Sequence, residues 1–185
     1  MMESPRTESD GLPGGLQNPT GRGPLPPDRL AAPPGPGGRL NLLLSYAGWK
    51  EDPWVDRLPR LLEPMGVRSL RAETGAQATQ VIRSTSQIHI AVVDLGLPLD
   101  DGPSAEEAGP RLLDLLARLN QPPPTVVVKR SRTHRDDSRE INAALRAGAF
   151  AVIDRPHDVH GLEILLEVLR RCLRRHYQGR WPGMT

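Results

Sequence analysis

Three residues that could take part in chemistry come at the ends of short apolar segments of the sequence: Asp94, Lys129 and Arg155. If those segments are parallel strands of one sheet, the three side chains reach a common cleft, because functional groups collect at the carboxyl ends of such strands. A carboxylate in a cleft needs compensating positive charge, which a metal ion or neighbouring bases can supply. The sequence therefore predicts a site in which one acid faces two bases.

The order of the secondary-structure patterns supports this placement. Short apolar runs predict strands, and they alternate with longer segments in which apolar residues recur at helical spacing. The predicted strands are residues 40–44, 67–70, 88–93, 125–128 and 150–153. Because each parallel connection needs a crossover helix, the pattern predicts an α/β fold, a doubly wound five-stranded parallel sheet.

Capping residues and prolines mark where the connecting helices begin. The predicted starts are Asp52-Pro53, Thr74, Pro110, Asp137 or Ser138, and Asp158. In the first helix we expect a kink at Pro59 and one apolar face, made of Trp54, Leu58, Leu61, Leu62 and Met65. Ser104, Glu106 and Glu107 predict a capping box rather than a paired-carboxylate site.

The loop after the third predicted strand carries a motif. Asp94-Leu95-Gly96-Leu97-Pro98-Leu99-Asp100-Asp101-Gly102 is similar to the pattern Asp-x-x-Met/Leu-Pro-x-x-Asp-Gly in receiver domains of bacterial response regulators. A second stretch, from Ala147 to Pro156, resembles the Ala-Gly-Ala…Lys-Pro run of the same family. The resemblance covers about Leu40 to Tyr177 and implies a flavodoxin-like sheet with strand order 2-1-3-4-5. Against the family pattern, residues 103–109 are an insertion.

The resemblance assigns Asp94 the phosphoacceptor position, at which the carboxylate attacks a phosphoryl donor with the help of a metal. It implies that Mg²⁺ is held by Asp94, by the backbone carbonyl of Gly96 and by acidic residues after the first strand. Those acids are missing, because Ser45, Tyr46 and Ala47 occupy their places. Since Mg²⁺ prefers charged oxygen ligands, the sequence predicts a metal-deficient site. Glu51 and Asp52 lie further downstream, and Asp52 is better explained as a helix cap.

Other positions of the family's switch are changed as well. Lys129 stands where the family has a Ser or Thr that binds the phosphoryl group, and Ser131 or Thr133 can replace it only if the strand end is irregular. Val152 stands in place of the switch aromatic residue.

Arg155 replaces the family lysine before Pro156. This exchange keeps the charge but changes the geometry, because a guanidinium is a planar fork and an ammonium is a compact point charge. We expect Lys129 and Arg155 to form a fixed ion pair or triad with Asp94 where the metal and the phosphoryl group would sit. The domain is therefore predicted to be a pseudo-receiver.

Composition divides the 185-residue chain into three parts. Residues 1–38 are rich in Pro and Gly and predict a disordered segment. Residues 39–178 are the predicted receiver-like domain, and residues 179–185 are a predicted flexible tail. The single cysteine, Cys172, excludes a disulfide framework. The sequence shows no signal peptide and no apolar run of the roughly 20 residues that span a bilayer, so we expect a cytoplasmic protein.

The charge pattern bears on the class of partner. The 24 Lys and Arg against 22 Asp and Glu give a net charge of +2, which is no reason to expect nucleic acid or a membrane. Basic residues cluster in the last helix and the tail, where they complement the helix dipole or form a binding patch: Arg170, Arg171, Arg174, Arg175, His176 and Arg180. No DNA-reading module follows them. His89, inside an apolar strand, is expected to be a satisfied core histidine.

The predicted function is that of a stand-alone response-regulator-like signalling protein, not an enzyme, that acts by protein–protein contact in a bacterial two-component phosphorelay. Expected partners are a histidine kinase or another signalling protein, and a second copy bound through the face of the fourth helix, fifth strand and fifth helix. Two alternatives stay open. One is a functional, phosphorylated receiver with an unusual metal site, and the other is a nucleic-acid-associated accessory protein that uses Arg171, Arg174 and Arg175.

Overall fold

The computed structural model describes residues 39–46, 55–101, 106–130 and 134–177. Within them one parallel sheet has the strand order β2-β1-β3-β4-β5. The strands are β1 Leu40–Ser45, β2 Val67–Ala72, β3 Ile90–Asp94, β4 Thr125–Lys129 and β5 Ala151–Asp154. The helices are α1 Leu58–Leu62, α2 Gly75–Ser84, α3 Gly109–Ala117, α4 His134–Arg146 and α5 Val159–Tyr177. The predicted fold class and strand order are confirmed.

The sheet is covered on both faces, because successive residues of a strand point to opposite sides. On one face Leu42 and Leu44 of β1 pack in a core with α1 and α5. Leu43, between them, faces the other way into a core that contains residues of α2 and α3. The strands therefore read as continuous apolar runs, as expected for a sheet buried on both sides.

The first helical segment differs most from its prediction. Its predicted cap and Trp54 lie outside the described residues. The rest is a 3-10 turn at Val55–Arg57, the short helix α1 and a second 3-10 turn at Glu63–Met65. Pro59 lies in the first turn of α1, where its missing N–H needs no partner, so it does not kink a longer helix. Leu58 and Leu62 are buried, but Leu61 is 44% exposed, so the predicted apolar face is wrong at that position.

Several helix starts follow the predicted signals. The hydroxyl of Thr74 accepts a hydrogen bond from Gln77 N at 3.2 Å, and the Asp158 carboxylate accepts one from Gly161 N at 2.7 Å. Pro110 lies in the first turn of α3.

Two other predicted starts are wrong. Helix α4 begins at His134, ahead of the predicted Asp137 or Ser138. Acidic residues are favourable inside the first turn of a helix as well as at its cap, so the position of Asp137 in the sequence does not by itself identify the first residue of the helix. Glu106 and Glu107 cap no helix, because Glu107 forms an isolated antiparallel bridge with Pro98 and α3 begins after it. Ser104 lies outside the described residues.

His89 precedes β3 and joins three elements at the amino end of the sheet. Its backbone N–H donates to Asn41 O at 2.9 Å, and its ring Nδ1 accepts from Asn41 N at 3.1 Å. The Tyr177 hydroxyl of α5 donates to His89 O at 2.6 Å. His89 is only 5% exposed and burial lowers its pKa, so the prediction of a satisfied core histidine is confirmed.

Candidate functional site

Asp94 is the last residue of β3, and its side chain is fully buried. Backbone and side-chain donors reach both of its carboxylate oxygens. Gly96 N donates to Oδ1 at 2.9 Å, and Arg155 Nη2 donates to Oδ2 at 2.5 Å. A buried carboxylate is stable in its charged form only when such donors replace water, so these contacts explain how Asp94 can be buried without a metal ligand.

Arg155 follows β5, which is two strands away from Asp94 at the end of β3, with β4 between them. Its backbone N–H donates to Lys129 O at 2.8 Å, which fixes the first residue after β5 against the end of β4. The side chain is 11% exposed and crosses above β4 toward β3. Its Nε is buried and makes no hydrogen bond within the described residues, so the guanidinium is engaged chiefly through Nη2.

Lys129 forms the second charged contact of the cleft. Its ammonium Nζ lies 2.5 Å from Asp154 Oδ1, and the two residues are partners in the β4–β5 register. The lysine side chain is 5% exposed and the aspartate side chain is 65% exposed. The pair therefore extends from the buried cleft to the solvent at the edge strand.

The end of β1 contributes a neutral group to the cleft. Ser45 is buried, and its hydroxyl donates to Val92 O at 2.9 Å, so its hydrogen is used within the sheet. Tyr46, the next residue, is also buried. Ala47, Glu51 and Asp52 lie outside the described residues.

Glycines let the surrounding backbone approach Asp94 closely. A Cβ on Gly109 would lie 2.5 Å from Asp94 O, so the first turn of α3 packs directly on the end of β3. A Cβ on Gly96 would lie 3.0 Å from Arg130 Nε, so the guanidinium of Arg130 lies against the loop that follows Asp94. The site consequently holds a third cation at its rim, which sequence analysis did not single out.

The described residues do not fit the magnesium site that the family pattern implies. Mg²⁺ requires several oxygen ligands in octahedral geometry, and acidic residues normally supply the charged ones. Ser45 and Tyr46 offer no carboxylate, and Oδ2 of Asp94 is in contact with a guanidinium. Among the described residues no group of three or more His, Cys, Asp or Glu side chains is placed to hold a metal ion.

The structure brings Asp94, Gly96 and Arg155 together and places Lys129 beside Arg155 with Asp154 as its partner. Pro156 is buried and lies against the first turn of α5, where a Cβ on Gly161 would be 2.9 Å from its Cα. Sequence analysis missed Asp154. The signal was present, because an acid at the end of β5 lies in register with a base at the end of β4. Ser131 and Thr133 lie outside the described residues.

No protein-family model and no curated protein matches the sequence. Solved structures do match. A response regulator receiver domain protein (CheY-like) from Methanospirillum hungatei is 20% identical with a TM-score of 0.52, over 73% of this chain and 94% of that chain. A two-component response regulator from Clostridium difficile is 21% identical with a TM-score of 0.55, over 74% and 98%. A structure described as adenylate cyclase from Rhodopirellula baltica is 16% identical with a TM-score of 0.52, over 74% and 91%.

Sequence identities of about 20% show a shared fold, and the fold is that of a receiver domain in both response regulators. Within the described part of the chain no helix is both long and apolar enough to cross a membrane. The strand order, the two covered faces and the match to solved receivers agree with the motif around Asp94. This chain therefore has the fold of response regulator receiver domains.

Proposed function

We propose that this protein is a receiver-type signalling domain that works by protein–protein contact, with Asp94 in the phosphoacceptor position but held by Arg155 instead of a metal and a phosphoryl group. The proposal makes it a pseudo-receiver in a two-component pathway of the bacterial type, acting in the cytoplasm and without enzymatic turnover. The observation that carries it is the 2.5 Å contact between Arg155 Nη2 and the fully buried Oδ2 of Asp94.

The charge arrangement supports a single fixed state. Asp94 is in contact with Arg155 and Asp154 with Lys129, and Arg130 adds a positive charge at the rim, so these side chains leave no excess negative charge for a divalent cation to balance. An attacking carboxylate would have to give up the guanidinium, and a buried charge that loses its partner is strongly destabilised. The domain should therefore keep one conformation in conditions that would switch a phosphorylated receiver.

The exposed apolar side chains support a protein partner. Of the four large apolar residues that are most exposed in the described chain, Leu145 lies on α4, and Val159 and Ile164 lie on α5, at 48%, 46% and 45% exposure. β5, the edge strand between these helices, is only partly buried. We propose that this α4–β5–α5 face binds a histidine kinase or another signalling protein, or forms a homodimer.

A phosphorylation assay tests the central part of the proposal. The full chain is incubated with acetyl phosphate and Mg²⁺, and its intact mass is measured beside a receiver that is known to be phosphorylated. We expect no phosphoryl adduct on this chain and a full adduct on the reference protein. A stoichiometric adduct that disappears in Asp94→Asn would overturn the proposal and establish the alternative, a functional receiver with an unusual metal site.

The arginines of α5 do not require a nucleic-acid function. Arg170, Arg174 and Arg175 are exposed, and Arg171 pairs with Glu167 at 3.0 Å one turn earlier. Cations in the last turns complement the helix dipole, which accounts for their position. We expect no salt-dependent binding to duplex DNA. Binding that weakens in a variant with Arg171, Arg174 and Arg175 all changed to Gln would favour the accessory-protein alternative.

A further inference from the structure

A groove runs between α2 and α3, on the sheet face opposite to α1 and α5. Its upper part, by which we mean the part nearest the carboxyl end of the sheet, is a cavity of about 640 Å³ between the facing sides of the two helices. The α2 wall presents Ala76, Thr79 and Arg83, at the spacing of one helical face. The α3 wall presents Arg111. We call this feature the α2–α3 groove.

Several of the residues between the two helices are small, among them Gly75, Ala76 and Ala108. At its upper end the helices nearly touch, since a Cβ on Gly75 would lie 2.5 Å from the Cβ of Ala108. Below that contact Ala76 and Thr79 give the α2 wall short side chains, and Leu115 stays only half-buried. A second cavity of about 370 Å³ lies at the carboxyl ends of the same two helices, lined by Ile82 of α2 and by residues that follow α2 and α3, such as Gln87 and Leu119.

The loop after β3 builds the upper wall of the groove and ties it to α2. The backbone N–H groups of Gly75 and Ala76, in the first turn of α2, donate to Pro98 O at 2.8 Å and Leu99 O at 3.0 Å. Leu99 lines the groove, and Leu99 N in turn donates to Glu106 O at 3.1 Å. The wall is therefore held by backbone hydrogen bonds, which makes the groove a fixed feature of the fold.

The chemistry of the lining selects the kind of occupant. The floor is apolar, with Leu112 and Leu115 of α3 beside Leu99, and among the described residues that line the upper cavity only Arg83 and Arg111 are charged. Arg111 contacts Glu106 at 2.5 Å, but both side chains are well exposed, at 66% and 48%. Exposed ion pairs contribute little to stability, so a carboxylate from another chain can replace Glu106 at small cost.

We propose that the α2–α3 groove binds an amphipathic helical segment of a partner protein, with apolar side chains on the floor and carboxylates against Arg83 and Arg111. Helices in apolar grooves are recognised in this way through anchors at positions i, i+3, i+4 and i+7. An apolar floor is a poor match for a phosphate backbone, which favours a peptide over a nucleic acid. The proposal does not depend on how Asp94 is occupied.

Binding of a designed peptide to the full chain tests the proposal. The probe is a synthetic helix of about 14 residues, or four turns, with Leu along one face and Glu on both flanks. A twin peptide carries Lys in place of each Glu. We expect saturable chemical-shift changes in backbone amides of α2 and α3 with the acidic peptide only. The double variant Arg83→Glu/Arg111→Glu should weaken binding by at least about tenfold, because like charges then face each other.

The control variant is Arg68→Glu/Arg146→Glu, which makes the same charge change at two exposed arginines outside the groove. It should bind the acidic peptide as the unaltered chain does, and circular dichroism should show that both variants are folded. Absence of saturable binding, equal binding of the basic twin, or equal loss in the control would overturn the proposal. Self-association of the unaltered chain that the groove variant abolishes would also overturn it, in favour of a second copy as occupant.

Discussion

The two ends of the sheet bury polar side chains in different ways. At the carboxyl end, Asp94 is buried as a charged group and is held by a guanidinium and a backbone N–H. At the amino end, His89 is buried as a neutral ring whose Nδ1 accepts from the backbone of β1. A charged pair stays intact as long as both partners keep their ordinary charges, whereas a neutral histidine is sensitive to a change of one proton near neutral pH. The comparison therefore predicts that the two ends respond to different perturbations.

The largest effect is expected from removing the cation at the carboxyl end. Arg155→Met should lower the free energy of unfolding by about 3 kcal/mol, because it removes the guanidinium that contacts a fully buried carboxylate. Chemical denaturation at neutral pH measures this change. Arg146→Met, at an exposed arginine of α4, is the control and should change little. An equal, small loss in both variants would show that the Asp94–Arg155 contact is not holding the carboxylate.

The next largest effect is a pH dependence of the free energy of unfolding that comes from His89 at the amino end of the sheet. Burial lowers the pKa of His89 below its ordinary 6.5, so the folded chain binds this proton more weakly than the unfolded chain. The contribution of neutral His89 to the free energy of unfolding is complete above pH 6.5. It is lost as the pH falls below 6.5, by at most about 1.4 kcal/mol for each pH unit. Denaturation between pH 7 and about pH 5 should therefore show a shallower decline in His89→Gln than in the unaltered chain.

His176 is the second histidine whose titration contributes to this pH dependence, so its variant is the comparison for His89→Gln. Burial, and then the charge of Arg175, lowers the pKa of His176 as well, so it contributes a decline of the same sign. His176→Gln should reduce the slope without affecting the contacts of Asn41 with His89. If His89→Gln leaves the slope unchanged while His176→Gln removes it, the amino end is not the pH-sensitive region.

A smaller effect is expected where α5 is attached to the amino end. Tyr177→Phe removes the hydroxyl that donates to His89 O and should cost about 1 kcal/mol at neutral pH. Burial, together with the nearby Cys172, raises the pKa of Tyr177 to about 12, so the hydroxyl keeps its proton throughout the range of the His89 experiment. Thermal unfolding of the variant measures the loss, and an unchanged midpoint would mean that this hydrogen bond adds nothing.

The smallest effect is expected from the solvent-facing acid of the cleft. Asp154→Asn should lower the free energy of unfolding by only about 0.5 kcal/mol, because the Asp154 side chain is 65% exposed and asparagine keeps an oxygen that can accept from the buried Nζ of Lys129. Denaturation at low and at high salt measures it, and the difference should shrink as salt is added. A loss as large as that of Arg155→Met would mean that the four charges act as one unit.

The sheet could be predicted from sequence because its strands are continuous apolar runs and its helices carry recognisable caps. Thr74 and Asp158 cap their helices through the side chains that the sequence suggested. The first helical segment was less predictable, because 3-10 turns on both sides of α1 shift the buried face away from Leu61. Those turns depend on packing against the sheet, which residue spacing does not encode.

In the site, as in the fold, short sequence motifs could be recognised, but contacts between residues on different strands could not be predicted. The motif around Asp94 and the loss of acids after β1 are local and were visible in the sequence. The choice of partner for each base was not, because it depends on how far each side chain reaches across the sheet. Arg155 is long enough to cross from the end of β5 to Asp94, while Lys129 contacts the residue opposite it in register.

The most direct test of the account is a magnesium titration that follows the backbone amide of Gly96, whose N–H donates to Asp94 Oδ1 at 2.9 Å. Nuclear magnetic resonance spectra are recorded on the full chain and on Asp94→Asn as Mg²⁺ is raised through the millimolar range. The account predicts that the Gly96 signal does not shift saturably in either protein, because Arg155 already occupies the carboxylate. A saturable shift in the unaltered chain that is absent from Asp94→Asn would contradict it.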